Sequence, residues 1–141
     1  MANGIVHPTP KDLGYSFPAE WHVHRATWLS YPHNDSYSWP GTLKNIFPFY
    51  NTFIKELSQG ERVCINIRNE GLRDEVMKEL EAEGVDLSKI DFLIHPTNDA
   101  WCRDHGPAFL LNPTTRAVLS CWGVFCIPAS MHFLLHLPRE L

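Results

Sequence analysis

Ten residues in the second half of the chain concentrate reactive groups. Asn98-Asp99-Ala100-Trp101-Cys102-Arg103-Asp104-His105-Gly106-Pro107 holds two carboxylates, a guanidinium, an imidazole, a thiol and an indole, then ends in Gly-Pro. Trp101 and Asp104 stand three positions apart, which suits recognition of a flat cation. A carboxylate accepts two parallel N–H bonds from a guanidinium, and an indole face covers the plane of the same group. Loops that follow strands are where sites usually sit. The same residues also read as a surface turn in which Asp104 caps a backbone and Arg103 pairs with Asp99.

Other reactive side chains are scattered. The cysteines are Cys64, Cys102, Cys121 and Cys126, with no Cys-x-x-Cys pair. Cys64 lies in the apolar run RVCINI and reads as a buried structural thiol. A nucleophilic thiol needs a lowered pKa, and none of the four is assigned that role. His22 and His24 are one residue apart, and His132 and His136 are spaced to share a helix face. No acidic or cysteine partner stands at ligand spacing near either pair, so no metal is expected. His105 either tunes a pocket or caps a turn, and the turn is preferred.

The elements that must position this segment follow from periodicity. Residues 1 to 20 carry Pro8, Pro10, Gly14 and Pro18 and read as an irregular entry arm. Ala26 to Tyr31 is a β-prone run that stops at Pro32. His33 to Gly41 is a polar loop. Tyr50, Ile54 and Leu57, with Phe49 and Phe53 beside them, form a helical apolar face. Proline is best tolerated in a first turn, so the regular helix is expected to begin at Pro48 and to end at Gly60. Arg62 to Ile67 is a strand. Leu72, Val76 and Leu80 mark a second helix, closed by Gly84. Asp91 to His95 and Pro107 to Leu111 are further strands on either side of the Trp101–Asp104 segment. The order β, α, β, α, β, β argues for an α/β fold with helices packed on a small open sheet.

Composition excludes several classes. A length of 141 residues suffices for one ordinary domain. The 44% hydrophobic and 20% charged fractions are those of a globular chain rather than a disordered one. A net charge of −4 offers no basic face for nucleic acid and no polybasic attraction to an anionic membrane. Met1 to Pro10 lacks a basic stretch followed by an apolar run, so no signal peptide is expected. Free thiols in a reducing cytoplasm are the plain expectation.

The segment NDAWCRDHGP resembles the signature of the agmatine deiminase and bacterial peptidylarginine deiminase family. Upstream, Pro18-Ala19-Glu20-Trp21, Ala26-Thr27-Trp28 and Tyr31-Pro32-His33 resemble the opening of the same family. The likeness covers roughly residues 13 to 116. It implies that Trp101 lines a guanidine pocket and that Asp104 binds the guanidinium. Asn98, Asp99 and Arg103 would shape the loop around them. It further implies a five-bladed α/β propeller, the pentein fold, of which this chain would hold about two blades. The implied reaction has a cysteine thiolate attack the guanidine carbon. Ammonia leaves, water then attacks, and a histidine serves as general acid and base. No cofactor or metal is implied.

Two departures from the family shape the expectation. The family runs well past twice this length, and its histidine, second aspartate and nucleophilic cysteine lie downstream of the matched region. The chain therefore reads as residues 1 to 116 of a deiminase domain followed by an unaligned apolar tail, 117 to 141. That tail approaches the length of a membrane span, but Pro128, His132 and His136 interrupt it. The expected function is hydrolysis of agmatine to N-carbamoylputrescine and ammonia, in putrescine and polyamine biosynthesis, with this chain alone inactive. Alternatives are conversion of protein arginine to citrulline, or an inert guanidine-binding fragment. The partners expected are a small guanidino substrate and, where copies associate, a homo-oligomer.

Overall fold

A computed structural model describes residues 8–23, 25–36, 38–102, 106–122 and 125–128. They fall into two compact units, Val23–His105 and Met1–His22 with Gly106–Leu141.

The first unit is a parallel sheet of β1 (Ala26–Ser30), β2 (Arg62–Ile67) and β3 (Ile90–Ile94), with β2 central. Two helices, α1 (Leu43–Gly60) and α2 (Glu70–Ala82), make the crossovers. Parallel neighbours cannot be joined by a tight turn, so each connection needs an element of this length. The register pairs Trp28 with Cys64 and Ile65 with Phe92. Side chains alternate across the sheet. Leu29, Tyr31, Val63, Ile65, Ile67 and Ile90 pack with Ile54 of α1, Val76 and Leu80 of α2, and Val85 into one apolar core. Ser30 and Cys64, on the alternate positions, are buried as well.

Tyr31 ties this core together. Its ring stacks on Phe47 and meets Tyr50 edge-on. Its hydroxyl donates to Asn51 Oδ1 at 2.9 Å, and Asn51 Nδ2 donates to Glu79 Oε2 at 2.9 Å. One buried amide thus satisfies groups from β1, α1 and α2 together. This changes the expected face of α1. Ile54 is buried as foreseen, but its buried companions are Asn51 and Ser58, while Phe49 is left exposed. Polar residues that find partners can be buried, and apolar ones at the flank stay wet.

The start of α1 also differs from expectation. The helix begins at Leu43 rather than Pro48. Asp35 Oδ1 accepts the Leu43 N–H at 3.2 Å, which caps the first turn from the preceding loop. Pro48 cannot donate to the carbonyl one turn back, and the helix runs through it. The end of α1 at Gly60 and the periodicity of α2 are as read from the sequence. Asn69 caps α2 by accepting the Leu72 N–H at 2.9 Å. Gly84, at φ 78°, closes it. The Val85 N–H bonds Leu80 and the Gly84 N–H bonds Glu81, the paired pattern of a left-handed helix stop.

The second unit is an antiparallel sheet of β4 (Ala108–Leu111), β5 (Val118–Trp122) and β6 (Phe125–Pro128). The structure thus has two separate sheets rather than one. β5 and β6 lie beyond residue 116, and they carry Cys121 and Cys126. The entry arm joins the outer edge of β4: Ser16 and Leu111 exchange backbone hydrogen bonds of 2.9 and 2.8 Å. Asn112 reinforces this, its Nδ2 donating to Leu13 O at 2.9 Å and its Oδ1 accepting from Thr114 and Thr115. No helix among the described residues is long and apolar enough to cross a membrane. Residues 129–141, with His132 and His136, lie outside the described residues.

Three outcomes follow from this architecture. Ile65→Ala, at a fully buried position between both helices, should cost about 2–5 kcal/mol in urea unfolding. Gly14→Ala should cost about 1–2 kcal/mol. Its φ is +80°, and an added Cβ would meet Asn112 Nδ2 at 3.1 Å; a neutral result would mean that the arm does not dock this way. The third concerns pH. Burial pushes the Cys64 thiol from 9.0 up to about 11. It also holds the Tyr31 and Tyr50 phenols well above the usual tyrosine range. The unfolded chain ionises these groups first as pH rises, so stability falls. Urea midpoints should hold level below 9.0 and drop as pH climbs toward about 11; a midpoint unchanged across that window contradicts the account.

Candidate functional site

Parallel pairing delivers three loop starts to one edge of the first sheet. The ladder runs one step past the strands: the Tyr31 N–H bonds Asn66 O at 2.9 Å, and the His95 N–H bonds Ile67 O at 3.0 Å. The segment after β1, Arg68 after β2, and the segment after β3 therefore leave from the same side. In open α/β sheets the carboxyl ends of the strands are where ligands bind.

The segment after β3 is pinned by the segment after β1. Asn34 Nδ2 donates to Asn98 Oδ1 at 2.8 Å and to Asn98 O at 3.3 Å. Asn34 is itself oriented by Ser36, whose N–H and hydroxyl both reach Asn34 Oδ1. Ser38 Oγ donates to Asp99 Oδ1 at 2.6 Å, and the Ala100 N–H donates to the same oxygen at 2.7 Å. Trp39 lies against Trp101 with ring centroids 5.4 Å apart and planes tilted by 31°. Trp101 nevertheless remains 50% exposed. The edge thus offers an indole that is fixed and still reachable from solvent, the arrangement needed to cover a flat cation. Asp99 is held in the turn by Ser38 and the Ala100 N–H. Asp104, Arg103 and His105 lie outside the described residues.

Cys102 faces inward. Its Sγ sits 3.0 Å from Ser30 Oγ. Ser30 Oγ accepts from Asn66 Nδ2 at 3.4 Å, and Asn66 Oδ1 pairs with His95 Nδ1 at 2.9 Å. An amide oxygen only accepts, so this contact places the imidazole proton on Nδ1. Tyr50 reaches the same place from α1, its hydroxyl donating to Ser30 O at 2.9 Å. The result is a chain of thiol, hydroxyl, amide and imidazole along the sheet. Burial raises the Cys102 thiol, against a smaller opposing effect of the Ser30 hydrogen bond. A raised thiol stays protonated at neutral pH and is a poor nucleophile. Cys64, also raised, touches Asp91 at 3.9 Å, and Asp91 is paired with Arg62 at 2.8 Å.

A cleft of about 480 Å³ opens beside the pinned segment, lined by His33, Asn34, Asp35, Arg68, Thr97 and Asn98 among others. Trp101 is not part of its lining. Thr97 Oγ1 and Trp39 Nε1 are buried without a hydrogen-bond partner among the described residues. The sequence reading of this edge named Trp101, Asn98 and Asp99 but passed over Asn34, Ser38, Trp39, Ser30, Asn66 and His95. The available signal was position: these residues end, or closely follow, strands that periodicity had already marked as alternating with helices. Among the described residues, no three of His, Cys, Asp and Glu gather as a metal site would need.

Known proteins share this fold and sequence. The family described as Porphyromonas-type peptidyl-arginine deiminase matches residues 16–132, past residue 116 and through both β5 and β6. An agmatine deiminase of Ectopseudomonas mendocina (strain ymp) is 29% identical over 122 residues, which is 83% of this chain and 31% of that protein. Among solved structures, the C. jejuni agmatine deiminase matches 75% of this chain and 30% of its own, with TM-score 0.59 and 24% identity. A substituted form of that enzyme with substrate bound matches 69% of this chain and 26% of its own, with TM-score 0.57 and 26% identity. This chain spans less than a third of the length of the curated relatives it matches. Its mixed α/β fold is the fold of those regions, and the matched stretch takes in the six strands and two α-helices of the described residues. The chain belongs to the Porphyromonas-type peptidyl-arginine deiminase family.

Proposed function

We propose that this chain is the N-terminal part of a guanidine-hydrolysing deiminase. In this reading the complete protein converts agmatine to N-carbamoylputrescine and ammonia in the cytoplasm and feeds putrescine and polyamine synthesis. The observation that carries it is Trp101: a half-exposed indole, fixed by Trp39, at the carboxyl edge of a parallel sheet and three residues before Asp104. Trp101 covers the plane of the guanidinium and Asp104 accepts its N–H groups. Asn98, Asp99 and Arg103 shape the segment that presents them. The complete fold is a five-bladed α/β propeller, to which this chain contributes about two blades.

The reaction needs a thiolate nucleophile and a histidine acid–base. Cys102 and Cys64 do not suit the charge state a nucleophile needs, since burial keeps both protonated. In this reading the nucleophile comes from a part of the protein beyond the region described. Agmatine is preferred over peptidyl-arginine because several relatives of this chain carry agmatine deiminase names. The family's own description favours the second substrate, and an assay separates them.

The expected outcome is that the 141-residue chain releases no ammonia from agmatine, while a longer product carrying the downstream residues does. Binding of agmatine by this chain should be weak, because an ion pair open to water contributes only about 0–1 kcal/mol. Calorimetric titration checks this, and sub-micromolar affinity contradicts it. Release of ammonia from peptidyl-arginine but not from agmatine by the longer product would replace the substrate assignment.

A further inference from the structure

We infer, resting on the guanidine-site reading above, that Trp39 is a positioning residue: it backs one face of the Trp101 indole, so that the other face alone is presented to a guanidinium. The two rings lie 5.4 Å apart with a 31° tilt, which is the geometry of an offset aromatic pair. An exposed tryptophan with no ring behind it samples several rotamers. One held against a second indole has its face fixed before the ligand arrives, and ordering that is already done need not be repeated on binding.

Three observations separate this from ordinary packing. Trp39 is not a member of the apolar core, which is built from Leu29, Tyr31, Ile54 and their neighbours on the helix side of the sheet. Its indole N–H is buried with no acceptor among the described residues, whereas a buried indole N–H normally finds one. Among the described residues, no hydrogen bond from this N–H fixes the ring, and its aromatic partner is Trp101. The pair is also anchored on both sides of the gap in step with the sequence. Asn34 holds Asn98, Ser38 holds Asp99, and Trp39 holds Trp101. The segment after β1 thus acts as a template on which the segment after β3 is laid, and its last contact is the one that orients the indole.

The test uses the 141-residue chain and its Trp39→Ala, Trp39→Phe, Ser38→Ala and Trp101→Ala variants, with agmatine as the probe. Two readouts are taken: the far-ultraviolet exciton couplet of paired indoles, and agmatine affinity from fluorescence titration. Trp39→Ala should abolish the couplet, as Trp101→Ala does, and weaken agmatine binding by about three- to tenfold while urea unfolding stays cooperative. Trp39→Phe should also lose the couplet but bind within about twofold of the wild type, because a ring still backs Trp101. Ser38→Ala should give a smaller loss of affinity and a weakened couplet. Should Trp39→Ala fail to fold, the Phe and Ser38 variants decide the matter by the same measures. Agmatine affinity unchanged in a folded Trp39→Ala chain, or a couplet that survives Trp101→Ala, overturns the inference alone. A wild-type chain that does not bind agmatine even at high concentration overturns the guanidine-site reading and this inference with it.

Discussion

Parallel pairing of β2 between β1 and β3 is the constraint on which the first unit depends. It forces long crossovers, and α1 and α2 supply them. It sends alternate side chains to opposite faces, so Val63, Ile65 and Ile67 make the core while Cys64 and Asn66 stand on the other side. It also brings the carboxyl ends of all three strands to one edge, where Asn34 and Ser38 hold Asn98 and Asp99 of the pinned segment. Had β3 run the other way, Asn98 and Trp101 would have emerged at the opposite end from Asn34 and Trp39.

The two faces of the sheet use burial differently. On the helix side, apolar side chains are removed from water at roughly 25 cal/mol per Å². On the other side, polar groups pair one with the next around the buried Ser30, from the half-buried Cys102 through Ser30 and Asn66 to the exposed His95. A half-satisfied chain of this kind would be worse than an apolar patch, yet each member has a partner. The burial that raises the Cys64 and Cys102 thiols keeps both protonated at neutral pH.

Much of the first unit was legible from residue patterns because its elements are periodic. RVCINI is a run of β-branched residues around a cysteine, and Leu72, Val76 and Leu80 keep helical spacing up to Gly84. The start of α1 was not legible, because helix propensity penalises Pro48 while the compensating cap comes from Asp35 in another segment. Nor was the burial of Asn51, which depends on partners from two other elements. β5 and β6 were hidden within a continuous apolar stretch in which strand and unstructured tail look alike. At the candidate site, Trp101 stood out by type and spacing. Trp39 and Ser38 did not, because loop residues have no period and their importance lies wholly in what they touch. Asp104 remains a reading from spacing and family likeness.

The bridge between Ser16 and Leu111 joins positions 95 residues apart, and this bears on the order in which the protein can be built. Synthesis makes the entry arm before the strand edge that receives it, which follows more than ninety residues later. Val23–His105, by contrast, is one uninterrupted stretch whose crossovers link strands adjacent in sequence. Contacts that are local in sequence form soonest, and distant ones must wait for loop closure. The βαβαβ unit can therefore settle while synthesis continues, with the arm left unpaired until β4 appears. The entry arm is thus made before β4 and is among the last segments to find its place.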